Sequence, residues 1–96
     1  MNDKIREMDD TNYHIIIEGE KYIVGEAYIA YFGHNVFGDA ENGYCAPIHN
    51  YDGEIVGFMN WKQVNWDLED ESDRCDWYSP DEVWLDDVEM KNYKVV

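Results

Sequence analysis

Carboxylates dominate the stretch from Asp67 to Glu89, and they are the first candidates for chemistry in this chain. Eleven of its twenty-two acidic residues lie there, and Arg74 is the only basic residue among them. Three tryptophans, Trp66, Trp77 and Trp84, lie in or beside the stretch. An acidic segment without aromatic residues is typical of a disordered tail, whereas Trp and Tyr in such a segment indicate a folded surface that holds its carboxylates in place.

The alternate spacing of Asp67, Glu69 and Glu71 is the spacing with which a calcium-binding loop presents its oxygen ligands. Counted from Asp67, Ser72 occupies the sixth position, where an EF-hand loop requires glycine. Tyr78 occupies the twelfth position, where the loop requires glutamate. Because both diagnostic positions differ, we expect no dedicated calcium site.

Cys45 and His49 form the only closely spaced pair that could supply soft metal ligands or a nucleophile with its base. A zinc site needs three or four ligands, and no further ligand lies close by in the sequence. In an extended strand the two residues share a face but lie about 13 Å apart, beyond hydrogen-bond reach. Catalytic carboxylates need a pocket that separates their pKa values, which an exposed acidic loop does not provide. We therefore expect neither an enzyme nor a metal or cofactor site.

The bulk composition predicts one soluble domain over residues 1–96. The 45% apolar and 16% aromatic content is that of a globular chain, and 96 residues suffice for one modest core. No run of about 18 apolar residues could span a membrane, and the N-terminus, MNDKIREMDD, lacks the apolar core of a secretory signal. We expect a cytoplasmic protein in which Cys45 and Cys75 stay reduced.

A net charge of −15 exceeds the magnitude of about 2–8 that keeps a small domain soluble. Like charge repels nucleic acid and anionic lipid, so direct binding to either is not expected. The charge favours a basic protein as the partner.

Runs of β-branched and aromatic residues predict a mainly β fold, a small antiparallel sheet with room for one or two short helices. The central hairpin is placed at Asp52-Gly53, a typical type I′ turn sequence between two extended runs. The strand after it, residues 55–66, is long, and a bulge near Asn60 would explain its broken alternation. Residues 1–11 are polar and predict a loose lead-in or one frayed helical turn. An α+β domain is the second option.

Three further segments are assigned from composition. Residues 27–32 are apolar on all sides, so periodicity does not separate a buried strand from a short buried helix. Residues 33–43 are rich in Gly and Asn and predict a loop, as the acidic residues 67–79 do. Residues 80–90 fit a helix begun by a capping box, or a strand, which their Val and Trp content slightly favours. In both cases Trp84 and Val88 would define the buried side.

The acidic stretch also fits an interface. If residues 67–73 are extended, Asp67, Glu69, Glu71 and Asp73 lie on one side about 6.6 Å apart. Such a row can bind Lys and Arg side chains that normally grip phosphates, while tryptophans stack on guanidinium planes. The alternative is a solvated face over an aromatic core. The expected partner-binding residues are Asp67, Glu69, Asp70, Glu71, Asp73, Asp76, Trp77, Asp81, Glu82, Asp86 and Asp87.

In size, net charge and the cluster DLEDESD at residues 67–73 with its neighbouring tryptophans, the chain resembles small acidic inhibitors of bacterial nucleases. Phages and plasmids encode these anti-CRISPR and anti-restriction proteins, which mimic DNA. The resemblance implies a non-catalytic, stoichiometric inhibitor in a bacterial cytoplasm that blocks the nucleic-acid groove of a Cas effector or restriction enzyme. The alternative is an interaction module or assembly subunit that binds through its aromatic surface, with acidity serving solubility.

Overall fold

The computed structural model describes residues 14–96, which form one curled antiparallel sheet, so the predicted mainly β class is confirmed. The predicted lead-in at residues 1–11 lies outside the described residues. A single 3₁₀ turn at Glu71–Asp73 is the one helical element of the described part. The strands are β1 (His14–Ile17), β2 (Glu20–Val24), β3 (Tyr28–His34), β4 (Ala40–His49), β5 (Ile55–Trp61), β6 (Glu82–Leu85), β7 (Val88–Glu89) and β8 (Tyr93–Val95).

The sheet is organised around β4, its longest strand. The order of strands is β7-β6-β5-β4-β2-β1-β8, and β3 also pairs with β4. One edge of β4 is therefore shared, because β3 pairs along it as far as Cys45 and β2 pairs with Ile48 and His49. Pro47, which has no backbone N–H to donate, lies in the gap between these two partners.

The central hairpin at Asp52-Gly53 is confirmed, since β4 and β5 are antiparallel neighbours joined there. The predicted type I′ turn is wrong, because Gly53 has a positive φ of 87° but Asp52 does not. The side chain of Asn50 accepts hydrogen bonds from the backbone N–H groups of Asp52 and Glu54, both at 3.0 Å. An Asn at that position stabilises a longer connection in which one positive φ suffices.

A two-residue turn with two positive φ angles occurs elsewhere, between β1 and β2. Glu18 has a φ of 50° and Gly19 a φ of 86°, and Ile17 pairs directly with Glu20. This is the backbone conformation that the twist of a tight hairpin requires.

The strand after the central hairpin ends at Trp61 and not at Trp66. It ends because the backbone N–H groups of Lys62 and Gln63 turn to the carboxylate of Asp81, at 2.5 and 3.3 Å. The predicted bulge near Asn60 is also wrong. The register shifts next to Val56, which is the extra residue opposite the end of β4.

Residues 28–32 of the apolar run belong to strand β3, which settles that ambiguity, but the predicted loop at 33–43 is mostly strand. Only residues 35–39 form the connection to β4. The side-chain oxygen of Asn35 accepts the N–H groups of Phe37 and Asp39, at 2.9 and 3.1 Å, and closes a tight turn. The Gly and Asn residues there serve a long hairpin, which composition alone does not separate from a loop.

Residues 80–90 form a hairpin of two short strands, so the strand alternative is confirmed and the helix alternative is wrong. The chain reverses at Asp86 and Asp87, where Asp86 has a φ of 54°. The predicted buried side is corrected as well. Val83 is fully buried, whereas Val88 is exposed because it lies on the edge strand β7.

The hydrophobic core lies on one face of the curled sheet. Tyr44, Ala46 and Ile48 alternate along β4 and point into it, as the two-residue period of a strand requires. No helix in residues 14–96 is long and apolar enough to cross a membrane. The core residues are Ile15, Ile17, Val24, Tyr44, Ala46, Ile48, Met59, Trp61, Val83 and Val95.

Candidate protein-binding surface

The acidic loop, defined here as residues 65–81, is attached to the core by aromatic contacts. The ring centroid of Trp77 lies 4.9 Å from that of Tyr44 and 5.0 Å from that of Trp61. Trp66 covers Tyr44 from another side, at 5.1 Å. The indole N–H of Trp61 donates to the carbonyl of Asp76 at 3.0 Å. Trp77 was expected to contact a partner. Its ring packs against two buried residues, and this contact holds the loop on the core.

The single cation of the acidic stretch is committed to the loop itself. The guanidinium of Arg74 donates to the carbonyl of Leu68 at 2.7 Å and to the hydroxyl of Tyr44 at 2.9 Å. The same hydroxyl donates to the carboxylate of Glu71 at 3.0 Å. Arg74 also lies over the ring of Trp66, 5.6 Å from its centroid. The loop therefore has a fixed shape despite its exposed carboxylates.

The premise of an extended segment at residues 67–73 is wrong. The carboxylate of Asp70 accepts the backbone N–H and the hydroxyl of Ser72, at 3.0 and 2.8 Å, and starts the 3₁₀ turn. Such local side-chain hydrogen bonds compete with extended structure. The Ser72 hydrogen bonds also hold the pKa of Asp70 below its usual value. The alternate carboxylates consequently follow a turn and do not form the straight row.

Several of the expected binding residues have structural contacts. Asp76 accepts the N–H of Tyr78 at 3.1 Å, and Asp81 ends strand β5 as described above. Glu82 accepts a hydrogen bond from the side-chain amide of Asn60 at 3.0 Å and forms an ion pair with Lys62 at 3.1 Å. The Asn60 hydrogen bond, aided by Lys62, holds the pKa of Glu82 below its usual value.

Five of the expected carboxylates are exposed and make no side-chain hydrogen bond or ion pair with any residue from 14 to 96. Three of them lie in the acidic loop and two at the β6–β7 turn. Strand β6, four residues and about 13 Å long, lies between the end of the loop and this turn, so the expected residues fall into two clusters. The five residues are Asp67, Glu69, Asp73, Asp86 and Asp87.

The curl of the sheet brings Glu18 and Glu20, which were not among the expected binding residues, near Asp86 of the β6–β7 turn. Tyr22 hydrogen-bonds Glu20 at 2.9 Å. The pKa of Tyr22 is raised by burial, by that hydrogen bond and by the charges of Glu20, Asp86 and Glu18. The β1–β2 turn therefore lies near the β6–β7 turn, although more than sixty residues separate them in sequence. The nearest sequence signal is the pair of glutamates that flanks Gly19.

The pKa values of both cysteines are raised, which disfavours the nucleophilic thiolate form. Burial, together with the charges of Asp76, Asp81 and Glu71, raises the pKa of Cys75 to about 11. Burial also raises the pKa of Cys45, against a hydrogen bond from Tyr28. Both thiols are free.

The described residues offer no preformed metal site. No three His, Cys, Asp or Glu side chains between residues 14 and 96 come together as a set that could hold a metal ion. Carboxylates of the acidic loop instead accept hydrogen bonds from neighbouring backbone N–H groups and from the Tyr44 hydroxyl.

A second exposed surface was missed by the sequence analysis. The β3–β4 hairpin carries Val36 and Phe37 at its tip, and these side chains are 93% and 84% exposed. Tyr28, Ile29 and Tyr31 are also exposed along β3. The apolar run at residues 27–32 was expected to be buried, and its hydrophobicity alone does not show that it lies on an outer strand.

No protein-family model, curated protein or solved structure matches this chain. Its function is therefore inferred from the two surfaces described here.

Proposed function

We propose that the protein is a non-catalytic, stoichiometric inhibitor that binds the basic nucleic-acid groove of a bacterial defence nuclease. The binding surface is the acidic loop with the acidic β6–β7 turn, and the partner is a Cas effector or a restriction enzyme in the bacterial cytoplasm. The observation that supports this proposal most is the anchoring of the acidic loop through Tyr44, Arg74 and Trp77.

Anchoring matters because association costs free energy for every flexible group that becomes ordered. Glu69 and Asp73 belong to a loop whose shape is already held, so less of this cost falls on binding. Both are exposed, and neither contacts a cation among residues 14–96. They can receive Lys and Arg side chains of a groove that otherwise grips phosphates.

The charge distribution favours rapid and selective encounter. Arg74, the one basic residue of the acidic stretch, points its guanidinium at the loop's own Leu68 carbonyl and Tyr44 hydroxyl. A single-sign surface of this kind steers association with a basic partner, and the effect falls with ionic strength. The same charge repels DNA, so the protein competes with DNA for the groove.

The test is inhibition of DNA cleavage by a panel of purified Cas effectors and restriction enzymes. We expect inhibition that saturates at a fixed molar ratio, weakens steeply with salt and is relieved by excess DNA. The double charge reversal Glu69→Lys with Asp73→Lys should abolish inhibition. The matched control, Asp52→Lys with Glu54→Lys, changes the net charge equally at the central hairpin and should retain it. Simultaneous binding of DNA and this protein to one groove would refute the proposal.

The exposed tip of the β3–β4 hairpin favours a second candidate, an interaction module that binds through its aromatic surface. This candidate predicts a complex that survives high salt, because apolar contacts are not screened. It also predicts that the Glu69 and Asp73 reversals leave binding unchanged.

A further inference from the structure

The β3–β4 hairpin carries little charge in a highly charged chain, because Asp39 and Glu41 are its only Asp, Glu, Lys or Arg residues. Residues 27–38 contain no Asp, Glu, Lys or Arg, and neither do residues 42–51, although 30% of the chain is charged. Exposed apolar side chains are ordinary when single, but a contiguous group of them marks a site of association. This hairpin therefore has the composition of an interface, in contrast to the acidic loop.

Strand β3 also presents an open edge. Within residues 14–96 its only strand partner is β4, so the N–H and C=O groups on its other side have no strand to pair with. Soluble proteins usually protect such an edge with charges, proline or a very short strand. The segment from Tyr28 to Tyr31 has none of these, and Tyr28, Ile29 and Tyr31 are 55%, 62% and 58% exposed. The edge is suited to pairing with another extended strand.

A trough lies on the outer face of the same part of the sheet. Its volume is about 540 Å³, and mostly apolar side chains of β3, β4 and β5 line it. Tyr28, Pro47, Ile55 and Phe58 are among them. One chain thus carries both an apolar projection, formed by Val36 and Phe37, and an apolar recess.

We infer that this surface binds a second copy of the chain, through antiparallel pairing of the two β3 edges. Strand β3 runs from Tyr28 towards the hairpin tip, so antiparallel pairing places each tip at the Tyr28 end of the other copy. That end holds Pro47 and Ile55 of the trough, into which Val36 and Phe37 of the other copy insert. The interface is isologous and closes as a dimer.

Charge favours a second copy as the occupant. Two chains of net charge −15 repel one another, so they associate most readily where each presents few carboxylates. Residues 28–38 and 42–49 of the hairpin carry no carboxylate, and Asp39 and Glu41 are the two that lie between these segments. A basic partner is better served by the acidic loop, which packs on Tyr44, on the face of β4 opposite the trough.

The available area is sufficient. At about 200 Å² for a fully exposed aromatic side chain, the exposed parts of Tyr28, Tyr31 and Phe37 amount to on the order of 400 Å². Ile29, Val36 and Ile55 add a comparable area. The sum approaches the roughly 800 Å² that each partner buries in an interface of standard size.

The test is sedimentation velocity of the full chain over a range of protein and salt concentrations. We expect a species of twice the 11.4 kDa chain mass. Its dissociation constant should fall as salt rises, because salt screens the repulsion between the acidic chains. Val36→Ser with Phe37→Ser should raise that constant at least about tenfold, since two apolar anchors are lost. Val88→Ser, an exposed apolar residue on β7, is the matched control and should leave it unchanged.

Hydrogen exchange of the same samples tests the pairing of the edges. The amides of residues 28–31 that point away from β4 should exchange more slowly in the dimer than at dilutions where the chain is monomeric. A chain that stays monomeric at millimolar concentration in high salt would overturn the inference. A dimer whose dissociation constant does not change with the tip substitutions would also overturn it. So would a chain that is itself monomeric and whose tip variants no longer bind a different protein. These readouts need no nuclease, so they do not depend on the proposed inhibition.

Discussion

The hydroxyl of Tyr44 donates a hydrogen bond to the carboxylate of Glu71 at 3.0 Å, which joins a core residue to the middle of the acidic loop. Tyr44 is 1% exposed, whereas Glu71 lies in the 3₁₀ turn at the surface. Arg74 donates to the same hydroxyl, so one buried oxygen connects both Glu71 and Arg74 to the sheet. The shape of the acidic loop therefore depends on the core.

Tyr44→Phe should loosen the acidic loop while leaving the core packing intact. The substitution keeps the ring that contacts Trp66 and Trp77 and removes only the hydroxyl. We expect a loss of about 1–2 kcal/mol in the free energy of unfolding, measured by urea denaturation, because two charge-assisted hydrogen bonds are lost. Amides of residues 68–76 should also exchange faster.

Tyr93→Phe is the matched control, since its hydroxyl makes only a long hydrogen bond of 3.4 Å to the carbonyl of Pro80. It should change stability less than Tyr44→Phe and leave exchange in the acidic loop unaltered. Equal effects of the two substitutions would show that the Tyr44 hydroxyl does not hold the loop.

Glu82→Gln should lower stability at neutral pH but not in acid. The hydrogen bond from Asn60 and the ion pair with Lys62 hold the pKa of Glu82 below its ordinary value of 4.5 in the folded state. A lowered folded-state pKa means stabilisation that is present above pH 4.5 and is lost as the pH falls through the folded value. The difference between the two proteins, measured by denaturation from pH 7 downwards, should therefore disappear in acid.

Glu41→Gln serves as the control, because Glu41 is exposed on β4 and makes no ion pair with residues 14–96. Its stability should follow that of the unmodified protein at every pH. A constant destabilisation of Glu82→Gln down to acid pH would mean that its charge is not what stabilises the fold.

Cys75 should react slowly with alkylating reagents at neutral pH. Its pKa of about 11, compared with an ordinary value of 9.0, lowers the thiolate fraction at pH 8 about 100-fold. In a Cys45→Ala background, the rate of alkylation by iodoacetamide should rise with pH until about 11. Asp76→Asn removes one of the neighbouring charges and should speed the reaction at pH 8, while an unchanged rate would exclude that charge as a cause.

Local patterns predicted the β class because their causes are local. β-branched runs favour strands, and the turn at Asp52-Gly53 follows from residue types that favour reversal. The predicted type of that turn was wrong because the side chain of Asn50, which lies outside the Asp52-Gly53 pair, completes the turn. The end of β5 at Trp61 was not predictable either, since Asp81, twenty residues away, accepts the backbone groups that follow.

The sequence by itself determined the excess of acidic charge, the β class and the central hairpin, because composition and local residue patterns are properties of neighbouring residues. Only the tertiary structure decided how these features are presented. Packing of Trp77 on Tyr44 and Trp61 fixes the acidic loop, and curling of the sheet brings Asp86 near Tyr22. It also leaves the apolar strand β3 exposed, since burial depends on which strands become neighbours and not on hydrophobicity alone.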